Sequence, residues 1–92
     1  MLNAYYYYME NNGYGSDFNW DEVIKKEARG YNDIDLGEVQ HVDKESITTQ
    51  KGNLNKDRFY IPKKFVQRFD GNTLWFTLTS EDLNLYKIDK AQ

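Results

Sequence analysis

The alternation of apolar and polar positions changes character twice along the chain. Residues 1–16 read MLNAYYYYMENNGYGS, with four consecutive tyrosines followed by Asn, Gly and Ser and neither a helical nor a strand period. This predicts a flexible tyrosine-rich leader over residues 1–18. A strand added to a sheet edge is the alternative. The next stretch, NWDEVIKKEARG, has helical spacing. Trp20, Val23 and Ile24 share one face, and Asn19 stands three residues before Glu22 in the manner of a capping box. Asp21 and Glu22 precede Lys25 and Lys26, an order that suits the helix dipole, and Gly30 offers a stop. A short amphipathic helix is expected from Trp20 to Arg29.

From Leu36 the period becomes two. Strands are predicted over Leu36–Val42, Ser46–Gln50 and Arg58–Ile61. The first two are joined by the turn Asp43-Lys44-Glu45, and the second and third by the polar connection Lys51–Lys56. Pro62 closes the third strand because it cannot donate to a central ladder. Lys63 to Val66 fits one helical or 3₁₀ turn. Gln67-Arg68-Phe69 and Thr73–Thr79 then flank Asp70-Gly71-Asn72, a strong hairpin signal. In the last strand Leu74, Phe76 and Leu78 point one way, and Thr73, Trp75, Thr77 and Thr79 the other. The first set predicts the core, with Phe59, Ile61, Val39, Ile47 and Phe69. Tyr60, opposite Phe59 and Ile61, would face outward with Trp75 as an aromatic pair, left open to a partner or covered by the N-terminal helix or the C-terminal tail of the same chain. Ser80 is the expected cap of a short C-terminal helical turn, from which Leu83, Leu85 and Ile88 pack back. Short strands with brief turns imply a mainly β fold, a small closed barrel or sandwich.

Composition narrows the picture. The chain has 92 residues, enough for one small domain, here assigned to residues 19–92. Aromatics make up 16% of it and offset a hydrophobic content of only 39%. With no cysteine there is no disulfide, thiolate nucleophile or thiolate metal ligand. The net charge of −3 opposes generic nucleic-acid binding, which draws its affinity from neutralised phosphates. No apolar run has the length of a membrane span, and the first residues lack the pattern of a signal peptide, so a cytoplasmic protein is expected.

The strand sequence resembles a known family. A Leu-Gly-Glu-Val strand containing Gly37 and Val39, an acidic turn, a Thr-rich strand, Tyr60-Ile61-Pro62, and then Asp70-Gly71 within Phe-Asp-Gly-Asn-Thr-Leu-Trp-Phe are similar to the PRC-barrel domain. The resemblance runs from Ala28 to Thr79 and is closest to short standalone prokaryotic members, especially archaeal ones. It implies an SH3-like β-barrel of about five or six antiparallel strands. It also implies a binding or assembly role, without shared catalytic residues. Members associate with ribosomal protein, with membrane protein complexes or with archaeal cell-division machinery.

Catalytic and ligand signals are weak. His41 is the single histidine, and no serine sits in a nucleophile elbow. Asp33, Asp35 and Glu38 surround Gly37 with the wrong spacing for a calcium loop. Gly13-Tyr14-Gly15 lacks the third glycine and preceding strand of a dinucleotide site. No enzyme activity, cofactor, metal or small-molecule substrate is therefore expected. The function expected first is a self-associating protein-binding module, a homodimer, with Tyr60, Trp75 and Thr77 as interaction residues, since Trp and Tyr are enriched in interface hot spots. A scaffold protein linked to cell division is one alternative to it. Another is an RNA- or ribosome-associated factor using Arg58, Lys63, Lys64 and Arg68, which lie near Phe59, Tyr60 and Phe65.

Overall fold

The computed structural model describes residues 19–52 and 56–88. The leader assigned to residues 1–18, the middle of the polar connection and the last four residues lie outside the described residues. The fold is mainly β. Its strands are β1 (Glu27–Arg29), β2 (Asp35–Val42), β3 (Ser46–Lys51), β4 (Asp57–Pro62), β5 (Val66–Phe69), β6 (Thr73–Phe76) and β7 (Lys87–Ile88), with one helix, α1 (Ser80–Leu85). Short 3₁₀ turns cover Trp20–Val23, Tyr31–Asp33 and Lys63–Phe65. No helix among the described residues is long and apolar enough to cross a membrane.

All seven strands form one sheet, in the order β5-β6-β1-β2-β3-β4-β7. Five or six antiparallel strands were expected. The described sheet has seven, and it is mixed, because β1 runs parallel to β6 while every other pairing is antiparallel. The sheet is open, with β5 and β7 at its edges. It nonetheless curls. Phe65, just before β5, meets Tyr86, just before β7, edge to face with ring centroids 5.4 Å apart.

The largest correction concerns the expected helix from Trp20 to Arg29. Helical geometry lasts only from Trp20 to Val23, begun by Asn19, whose side chain accepts from the Asp21 amide. Lys25 then takes a left-handed conformation (φ 71°), and Glu27–Arg29 enters the sheet between β2 and β6. A ten-residue helix is marginal alone. Here β2 and β6 would each be left with an open edge, and satisfying those backbone groups outweighs helix propensity. Ala28, fully buried, is small enough for that interior slot.

The core is close to the predicted one. Val39, Ile47, Phe59, Ile61, Leu74, Phe76 and Leu78 are buried, joined by Val23, Ala28, Leu36 and Val66. Phe69 and Leu83 pack against this cluster from its margin. Alternation fails at Thr73, which was expected outside but is buried beside the hairpin turn. Strand pairing in β6 stops at Phe76, so Thr77–Thr79 lie beyond it. The cap of α1 is Thr79 rather than Ser80. Its hydroxyl accepts from the Asp82 amide, and the Asp82 carboxylate accepts in turn from the Thr79 amide. Leu85 and Ile88 do not pack back; they are 75% and 37% exposed. A helix of six residues has room for one inward face, which Leu83 takes, with Tyr86 at the helix C-cap packing beside it.

Gly37 sets the register of β2. Its φ is +90°, and a Cβ there would collide with the Gln50 carbonyl oxygen, so only glycine fits.

Candidate interaction surface

Residues directly opposite one another on paired strands share a face of the sheet. This rule builds two rows on the outer face of β2, β3 and β4. In the first, Glu38 stands opposite Gln50 and Gln50 opposite Arg58, with Ile88 next on β7. In the second, His41 stands opposite Thr48 and Thr48 opposite Tyr60. A bulge between Val39 and His41 keeps both Glu38 and His41 on this face while Val39 points into the core.

Neutral amides hold the charges of the first row. Gln40 donates to the Glu38 carboxylate at 3.1 Å, and Arg58 Nε donates to Gln50 Oε1 at 3.1 Å. Neither Glu38 nor Arg58 forms an ion pair among the described residues. In the second row Asp43 is the hub. His41 Nε2 lies 2.8 Å from Asp43 Oδ1, and the Tyr60 hydroxyl donates to Oδ2 at 3.1 Å. The imidazole is 65% exposed and so hydrated, whereas catalytic pairs gain their strength in desolvated sites. What this chain does is fix the direction of Tyr60, which is 46% exposed.

The other half of the outer face is organised around Trp75. Arg29 on β1 and Arg68 on β5 both stand opposite it. The Arg68 guanidinium lies 4.9 Å from the indole centroid, and the indole N–H donates to Asp70 Oδ2 at 2.9 Å. Asp70 Oδ1 also accepts from the amides of Asn72 and Thr73, which closes the turn. The Trp75 hydrogen bond, then those two amides, hold the Asp70 carboxyl down at about 2. Arg29 pairs with Glu27 and Asp33, and the Glu27 bond raises its pKa. Trp75 is half-buried in this set of contacts.

The aromatic pair expected of Tyr60 and Trp75 is separated in the sheet order, since β1, β2 and β3 lie between β4 and β6. Tyr60 turns to Asp43, and Trp75 to Asp70 and Arg68. Thr77 is exposed but tied back, its amide donating to the Phe65 carbonyl at 2.7 Å. The four basic residues of the RNA alternative have separate neighbours. Arg58 bonds Gln50, Lys63 Nζ sits 4.3 Å from the Trp20 ring centroid, Lys64 Nζ 5.5 Å from that of Phe65, and Arg68 covers Trp75. Burial pushes the Lys63 ammonium pKa down, against the opposing pull of Asp43.

The alternation pattern pointed to Tyr60 and Trp75 but not to Glu38, Gln50 or Asp43 beside them. Their signal is strand register, which the turn and the bulge determine. Among the described residues no group of His, Asp and Glu side chains has an arrangement fit to hold a metal ion. No protein-family model and no curated protein matches the chain.

Proposed function

We propose that the chain is a non-enzymatic protein-binding module of the PRC-barrel type that self-associates through the outer face of its sheet. The observation that carries this reading is Tyr60. It lies on β4, a strand flanked on both sides, yet it is 46% exposed with its hydroxyl held by Asp43. A large aromatic side chain of fixed direction on an open sheet face is the kind of group that anchors protein interfaces. The barrel-type reading draws support from the curled sheet, whose two edges approach at Phe65 and Tyr86. A second copy is the simplest partner, because twofold homodimers are the commonest assemblies.

Tyr60→Ala tests the reading. Sedimentation velocity over a dilution series should show a wild-type dimer that Tyr60→Ala weakens about tenfold or more, with the thermal midpoint nearly unchanged. A wild-type protein that stays monomeric at every concentration, or a dimer indifferent to Tyr60, refutes it.

A further inference from the structure

We infer that the second copy docks on the face formed by β2, β3 and β4, related to the first by a twofold axis running along β3. The inference rests on the self-association proposed above and specifies its geometry. The key observation is that the first outer row carries opposite charges on opposite sides of β3. Glu38 stands on β2, Arg58 on β4, and Gln50 lies between them. Adjacent strands are about 4.8 Å apart, so the two charges stand roughly 10 Å apart across the row. Both are exposed, and their hydrogen-bond partners are the neutral amides of Gln40 and Gln50.

A twofold axis in the plane of the interface, parallel to β3, lays β2 of one copy over β4 of the other. Glu38 then meets Arg58 of the second copy, and Arg58 meets Glu38, so one symmetry operation satisfies both charges. In the second row His41 meets Tyr60 of the second copy, twice, while Gln50 and Thr48 meet their own counterparts. Across β2, β3 and β4 each row is self-complementary, which an isologous interface requires, while Glu27, opposite Glu38 on β1, comes to lie over Ile88 of the second copy at the rim. An axis running across the strands would instead place Glu38 over His41 and Arg58 over Tyr60, leaving the guanidinium without a counter-ion. The surface is polar, so the contact is salt-sensitive, and complementary charge sets its register.

The symmetry gives a specific test. Glu38→Arg opposes two guanidinium groups at each contact in its own dimer, and Arg58→Glu opposes two carboxylates. In a mixed dimer, one contact sets the arginine introduced by the first variant against the glutamate introduced by the second. The other contact keeps Glu38 against Arg58, so both are attractive. Sedimentation velocity at about 50 mM salt, where screening is weak, should show each variant alone associating at least about tenfold less than wild type. The equimolar mixture should recover a heterodimer. The neutral variants Glu38→Gln and Arg58→Gln should each weaken association less than the reversals do. If either reversal leaves association unchanged, or if the mixture associates no better than its components, the face or the axis is wrong, while the wild-type dimer still upholds self-association. If wild type itself is monomeric throughout, the self-association reading falls and this geometry falls with it.

Discussion

Around Trp75, on the half of the outer face formed by β5, β6 and β1, charges are neutralised within the chain. Arg68 covers the indole, Asp70 accepts its N–H, and Arg29 pairs with Glu27 and Asp33. On the half formed by β2, β3 and β4, Glu38 and Arg58 are exposed, with side-chain amides as their partners among the described residues, and Tyr60 is held outward by Asp43. Both halves are aromatic and charged. The difference lies in how far the chain itself supplies partners to each outward aromatic. Trp75 is held among charged partners of its own chain, whereas Tyr60, Glu38 and Arg58 are the exposed groups that the proposed reading assigns to a second molecule.

Gly37→Ala puts a Cβ against the Gln50 carbonyl in a left-handed backbone position, and so attacks the β2–β3 register that aligns both rows. A loss of about 3 kcal/mol or more is expected, read by urea unfolding. Preserved stability would mean that β2 can shift and that the rows are not fixed. Next, Trp75→Ala should cost about 2 kcal/mol of monomer stability, less than for a fully buried tryptophan, and leave association unchanged. Tyr60→Ala should do the reverse, costing less than about 1 kcal/mol in unfolding while weakening association. Matching effects of the two substitutions would erase the distinction between the halves.

Thr49→Val, on the inner face of β3, is a smaller test. Thr49 Oγ1 is buried and has no hydrogen-bond partner among the described residues, so removing the hydroxyl should stabilise by about 1 kcal/mol in the same urea assay. Destabilisation would mean that the hydroxyl is satisfied. The smallest effect concerns acid. The folded-state pKa of Asp70 lies below its ordinary carboxylate value, so its contribution to stability is complete above about pH 4. That contribution is lost as pH falls toward the folded-state value of about 2. Asp70→Asn should remove this segment of the acid dependence in thermal melts. An unchanged acid profile would mean that the indole and turn amides do not hold the carboxylate.

Much of the frame was legible because short-range patterns decide it. Alternation identified Phe59, Ile61, Leu74, Phe76 and Leu78 as core, and Asp70-Gly71-Asn72 identified the hairpin. The segment Glu27–Arg29 was not legible, because its helical spacing is overridden by two strands that need an edge partner, one of them from the far end of the chain. The site was half legible for the same reason. Tyr60 follows from alternation within one strand, but its place beside Glu38, Asp43 and Arg58 depends on the pairing of three strands and on the bulge between Val39 and His41.

Amide chemical shifts followed through a dilution series report which half of the outer face senses a second molecule. The account predicts concentration-dependent shifts at Glu38, His41, Thr48, Gln50, Arg58 and Tyr60, with Asp70 and the Trp75 indole N–H unmoved. Shifts concentrated around Trp75 and Arg68, or no concentration dependence at all, would contradict it.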